Sequence, residues 1–91
     1  MKAEYAETLA LRALGWLAAD DELFQSFLTA SGLTLAELRD RASEPGVLVS
    51  VLDFLLMSDD WVLGFAAEAG VAPQEPMTAR QILAGPELHW T

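Results

Sequence analysis

The sequence predicts an all-α fold, a compact bundle of five or six short helices, on three observations. Apolar residues recur at the 3.6-residue period along most of the chain. Acidic or hydroxyl cap signals precede two of those runs, at Asp20–Asp21–Glu22 and Ser58–Asp59–Asp60, and glycines close them at Gly32 and Gly70. The pattern of residues 13–33 is repeated at 52–71, which points to two pseudo-repeated three-helix halves.

Size and composition bound the reading. Ninety-one residues make one domain, spanning 1–91. A chain this short buries about 60–65% of the surface its unfolded form exposes, so the core is modest. Yet 53% of its residues are hydrophobic. That surplus must be covered inside the fold or against a partner, and a homodimer is the simplest arrangement. The chain has no cysteine, which excludes disulfides and thiolate chemistry. The start, MKAEYAETLA, has no continuous apolar segment, so no signal peptide is read. The longest apolar run, Val47–Met57, is far shorter than the roughly 20 residues a membrane span needs. The expected compartment is the cytoplasm. Five basic against fourteen acidic residues give a net charge of −9. That balance removes the main affinity term for nucleic acid and disfavours anionic membranes. Basic partners remain compatible with it.

Residues 3–19 are expected as helix one, with Ala6, Leu9, Ala10, Ala13, Leu14, Trp16 and Leu17 on its apolar face. Glu4, Thr8 and Arg12 lie on the other face, where Glu4 and Arg12 are candidates to pair. Gly15 either permits a close helix crossing or is merely tolerated. Asp20 is the expected N-cap of helix two, Leu23, Phe24, Phe27 and Leu28 its buried stripe, and Gly32 its left-handed stop. Thr34 and Glu37 have capping-box spacing at the start of helix three, whose Leu35 and Leu38 should face inward. Pro45 disfavours helical geometry at Glu44 and ends that helix. Helix four, Val47–Met57, is apolar on nearly every side, broken only by Ser50 and Asp53 on one face. Such a helix is central or pairs across a dimer axis. Ser58 caps helix five, with Trp61, Val62, Leu63, Phe65 and Ala66 as its apolar set and Gly70 as its stop. Helix six begins near Gln74 or Met77 and runs to Ala84, and Gly85–Pro86 stops it. Residues 86–91 read as a loose tail in which Leu88 and Trp90 could dock.

A shift of 38 positions aligns the halves: Leu14 with Leu52, Trp16 with Phe54, Leu17 with Leu55, Phe27 with Phe65, Gly32 with Gly70 and Glu37 with Glu75. The alignment means either a doubled three-helix unit or two units that share generic cap-and-stripe grammar.

Residues able to carry chemistry are few. The one histidine, His89, is two residues from the end, and no serine sits in a nucleophile-elbow context. A general base would have to be a carboxylate. Asp53, the one acid inside an apolar helix, becomes a candidate if it is buried, whereas the ordinary reading places it on an exposed stripe. The acidic steps at 20–22 and 59–60 invite a hard cation, but they lack an alternating carboxylate loop and sit where caps belong. Residues 27–42 have the outline of a helix-turn-helix with Arg39 and Arg41, set against Glu37, Asp40 and the acidic whole. No glycine-rich phosphate loop or dinucleotide fingerprint is present. Trp16, Trp61 and Trp90 read first as core residues. Trp61, beside an exposed cap, is the best of them for an interface.

Three stretches together resemble a small bacterial family: LGWLAADDELFQSFLTASGL, LAELRDRASEPGVLVSVLDFLLMSDDWVLGFAAEAG and ARQILAG. The family is catalogued as domain of unknown function 3572, and the similarity covers about residues 5–85. The resemblance implies a bacterial, cytoplasmic, helical domain and brings no activity with it. The QEPMTAR segment, with its second proline at Pro76, is less regular than the family pattern.

The leading functional expectation is a non-enzymatic protein–protein interaction or regulatory module, homodimeric or holding a basic protein partner. Asp53, Met57 and Trp61 are its candidate interaction residues. No catalytic, cofactor-binding or metal residue is assigned, and neither nucleic acid nor membrane is expected as a partner. A carboxylate-dependent enzyme is the alternative, and a helix-turn-helix nucleic-acid binder ranks behind it.

Overall fold

Six helices make up the computed structural model, which describes residues 1–85. They are α1 (Ala3–Ala18), α2 (Asp21–Ser31), α3 (Leu35–Arg41), α4 (Pro45–Leu55), α5 (Asp59–Ala69) and α6 (Glu75–Ala84). The all-α expectation holds, and the boundaries follow local chemistry. The Asp20 carboxylate accepts from the Leu23 amide at 3.0 Å, and the Ser58 hydroxyl accepts from the Trp61 amide at 3.3 Å. Each satisfies one of the orphan donors of its helix. Gly32 and Gly70 take left-handed backbones, with φ of 75° and 71°. Only glycine adopts this conformation without a Cβ penalty. The Thr34–Glu37 capping box is complete, with both arms at 3.1 Å. The amide-to-carboxylate arm makes the strongest contribution to holding the Glu37 carboxyl below its ordinary value.

The prolines act differently from the sequence expectation. Helix four starts at Pro45 rather than Val47 and ends at Leu55, so Met57 lies beyond it. Glu44 is extended, with ψ of 135°, as a pre-proline residue should be, and Pro45 then opens the next helix. Pro76 likewise sits in the first turn of α6 and is buried. Its missing N–H would have had no intrahelical partner there.

The core gathers on α1, α4 and α6, which pack against one another. From α1 come Ala6, Leu9, Ala10, Ala13 and Leu17. The alanines leave room for the neighbouring backbones. From α4 come Val47, Leu48, Val51, Leu52, Phe54 and Leu55, which makes it the central helix. Pro76 and Ala79 are the fully buried contributions of α6. Helix α2 lies on α1 and α4, and α5 lies on α1.

Packing reverses several finer expectations. Leu35 is 50% exposed and Leu63 54% exposed, because α3 and α5 are edge helices whose contact stripes are narrower than their apolar sets. Arg12 does not pair with Glu4; its Nη2 donates to the Ala69 carbonyl at 2.8 Å, and Thr8 instead donates to the Glu4 carbonyl. The close approach belongs to Gly64, not Gly15. A Cβ on Gly64 would lie 3.1 Å from Trp16 Cζ2, while one on Gly15 would meet nothing within 4 Å. The expectations for residues 86–91, including Leu88, His89 and Trp90, lie outside the described residues.

The doubled unit is visible in the caps and in the packing. Asp20 and Ser58, Gly32 and Gly70, and Leu38 and Pro76 are each 38 positions apart and play the same part. Glu75 accepts from the Ala72 amide at 3.0 Å, repeating the arm that Glu37 makes to Thr34. Trp16 meets Phe65 edge-on at 6.3 Å, and their equivalents Phe54 and Phe27 meet edge-on at 5.6 Å. Exchanging the halves turns α2-on-α4 into α5-on-α1, as an approximate two-fold relation requires. The third helices break the relation: α6 is wedged between α1 and α4, while α3 stays peripheral with Leu38 alone buried.

Candidate functional site

The candidate residues converge on α4 and the turn after it. Asp53 lies on the exposed side of α4, where its Oδ1 accepts from Arg80 Nε of α6 at 2.8 Å. It is therefore a surface acid, as the ordinary reading of the sequence has it. Met57 follows the last turn of α4 and is 72% exposed, the most exposed large apolar side chain among the described residues. Trp61, in the first turn of α5, is half-buried and stacks on Phe54 with ring centres 5.0 Å apart.

Asp53 and Met57 share one open groove of about 490 Å³ between α4 and the end of α2. Phe54 and Phe27 form its base, and Ser50 and Ser31 line it with them. Trp61 is not among the groove's lining residues and stacks on Phe54 beside it. The three aromatics Phe27, Phe54 and Trp61 form a continuous series, edge-on and then stacked. Such a series fixes the Phe54 ring under the groove and makes the base rigid.

The α4 side of this groove was readable from spacing, since Ser50, Asp53, Phe54 and Met57 fall at i, i+3, i+4 and i+7. The α2 side, Phe27 and Ser31, had no sequence signal, because it depends on how α2 crosses α4.

The groove's two hydroxyls are already engaged by the fold. Ser50 Oγ donates to the Gly46 carbonyl at 3.0 Å, and Ser31 Oγ to the Leu28 carbonyl at 3.3 Å. Neither hydroxyl lies against a base, so the pair is not arranged as a nucleophile with its activator. The remaining functional groups are one carboxylate, apolar walls and a helix end, which suit binding.

A second, smaller groove of about 290 Å³ lies between α1 and the end of α5. Arg12 crosses it to the Ala69 carbonyl, and Trp16 Nε1 donates to Glu68 Oε2 at 3.0 Å. Elsewhere, the Tyr5 hydroxyl of α1 donates to the Glu75 carboxylate of α6. That bond, followed by the Ala72 amide, lowers the Glu75 carboxyl; the same bond is the main cause raising the Tyr5 hydroxyl. The acidic steps act at helix starts, and among the described residues no three metal-ligating side chains are gathered together. Arg41, one of the two candidate phosphate contacts, is tied to Glu44 at 3.0 Å and approaches Glu37 at 3.9 Å.

A family model described as "Protein of unknown function (DUF3572)" matches residues 3–86. The chain belongs to the DUF3572 family. The match takes in all six helices and the whole Met57 groove, so the fold described above is that of a DUF3572 domain. No curated protein and no solved structure matches this DUF3572 chain. Among its described residues no helix is long and apolar enough to cross a membrane.

Proposed function

We propose that this DUF3572 chain is a non-enzymatic protein–protein interaction module of the bacterial cytoplasm that holds a basic partner on the face bearing Asp53, Met57 and Trp61. One observation carries the reading: Met57 projects, 72% exposed, at a groove whose base is the rigid Phe27–Phe54 pair. An unbranched, polarizable side chain beside fixed aromatics adapts to a partner without reorganising the core. The net charge of −9 favours a basic protein and steers its approach. The same charge opposes self-association, so a second copy of the chain is the weaker occupant.

Site-directed photo-crosslinking in the native cell tests this. A photoreactive residue in place of Met57 should give a discrete adduct. One in place of Leu11, also exposed but on α1, should not. Met57→Asp should keep the helical circular dichroism and abolish adducts formed from a probe at Trp61. Absence of an adduct at position 57 would sink the proposal. Light scattering separates a heterologous partner from self-pairing, since the monomer is 9.9 kDa and a dimer doubles that mass.

A further inference from the structure

The two grooves are copies of one another. A shift of 38 carries every residue lining the Arg12 groove onto a residue lining the Met57 groove. The edge-on aromatic pair at the base is also the same, Trp16 with Phe65 in one and Phe54 with Phe27 in the other. The differences between twins are therefore informative.

In the first groove a helix end meets a cation from the same chain. Ala69 is the last residue of α5, and its carbonyl accepts from Arg12 at 2.8 Å. Carbonyls in a last turn have no intrahelical partner and carry the negative end of the helix dipole, which a guanidinium complements. In the second groove the equivalent carbonyl is that of Ser31, the last residue of α2. Among the described residues no backbone donor outside the helices and no side chain reaches it. The equivalent of Arg12 is Ser50, whose hydroxyl turns back to its own helix. Gly15 is replaced by Asp53, and Ala19 by Met57. Glu68, which anchors Trp16 in the first groove, is replaced by Ala30. The second groove has thus lost its internal cation, keeps one carboxylate (Asp53 where its twin has Glu68) and gained an apolar wall, and its volume is about 490 Å³ against about 290 Å³.

We infer that the Met57 groove takes an arginine side chain of the partner protein, supplying from outside the contact that Arg12 makes from within. The guanidinium donates to the Ser31 carbonyl and to the Asp53 carboxylate, which has acceptor capacity beyond the single Oδ1 contact with Arg80. Its aliphatic stem lies along Met57 and Phe54. Arginine is selected over lysine because its planar fork presents several donors in fixed directions to two acceptors at once. This inference rests on the interaction reading above, and names the chemistry of the partner at that site.

The test is an amide NMR titration of the full chain with N-acetyl-arginine methylamide, using the citrulline and lysine analogues as controls. Saturable shifts should concentrate on Ala30–Gly32 and Ser50–Met57. Binding should weaken by about fivefold or more for neutral citrulline, since charge-assisted hydrogen bonds are roughly twice as strong as neutral ones. Ser50→Arg should fill the groove as Arg12 fills its twin and abolish the shifts while helicity is kept. Asp53→Asn, which preserves shape, should weaken binding several-fold. Shifts spread evenly over the acidic surface, equal for lysine and arginine, or surviving in Ser50→Arg, would overturn the inference. Crosslinks at position 57 that persist in Ser50→Arg would overturn the arginine assignment and leave the interaction reading standing. Loss of the position 57 adduct in the wild-type chain would remove both.

Discussion

Gly15 and Gly64 interrupt helices in the same way on paper and differ once their surroundings are known. Glycine in a helix interior costs about 0.5–1 kcal/mol relative to alanine, mostly through the freedom of the unfolded chain. At Gly15 the space for a methyl group is open, so Gly15→Ala should stabilise by about 0.5–1 kcal/mol in urea unfolding. At Gly64 the same methyl lies 3.1 Å from the Trp16 ring, which is held by Glu68 and packed on Phe65. Gly64→Ala should gain nothing or lose stability, and Trp16 fluorescence should report the displaced ring. Equal gains at both positions would show that the Trp16 ring yields freely. The sequence had singled out Gly15 because it lies in the longer, more regular pattern. Which glycine faces a neighbour depends on a helix crossing that no local pattern encodes.

Caps and stops were the legible part of the elements, because their chemistry is confined to one turn. Asp20, Gly32, Thr34 with Glu37, Ser58 and Gly70 all serve as their spacing predicts. Helix four lies two residues earlier at each end than its apolar run predicts, because a proline that ends one helix can also open the next, as Pro45 does. The site was half legible for a similar reason. Asp53 and Met57 could be placed on one face of α4, while Phe27 and Ser31 enter from another helix. Contacts between elements carry a measurable pH signature. The Tyr5–Glu75 bond joins α1 to α6, lowers the Glu75 carboxyl from 4.5 and raises the Tyr5 hydroxyl from 10.0. A carboxyl lowered on folding contributes stability that is present above 4.5 and lost as pH falls through its folded value. A tyrosine raised on folding contributes stability that is present below 10.0 and lost as pH rises through its folded value. Glu75→Gln should therefore lower the melting temperature between those limits, with the deficit shrinking at both ends. Protonating the other acids also relieves repulsion, so only the difference between variant and wild type is diagnostic. A deficit independent of pH would assign the effect to packing alone. Ser58→Ala tests a cap with no titrating partner in the bond; it should cost about 1 kcal/mol with little pH dependence.

At the scale of the whole molecule, the two halves are similar in chain pattern and inseparable in packing. Each half supplies a long apolar helix and a capped second helix, and lays the second on the first helix of the other half. The intrusion of α6 between α1 and α4 means that the first half is covered by a helix it does not own. Neither half has a core without its counterpart, and below about 70–80 residues a single hydrophobic core rarely supplies more than about 3–5 kcal/mol. Cutting the chain between Glu44 and Pro45, where the backbone is extended, tests this directly. Fragment 1–44 alone should show weak helicity and a gradual, non-cooperative melt, and fragment 45–91 likewise. Mixed at equal concentration, the two should recover helical circular dichroism and a single cooperative transition whose midpoint rises with concentration. Both fragments are acidic, so added salt should favour their association by screening the repulsion between them. Cooperative melts of fragments 1–44 and 45–91, each by itself, would mean that each half is a folding unit. The grooves, each walled by residues of both halves, would then form where two self-standing units dock rather than within one shared core.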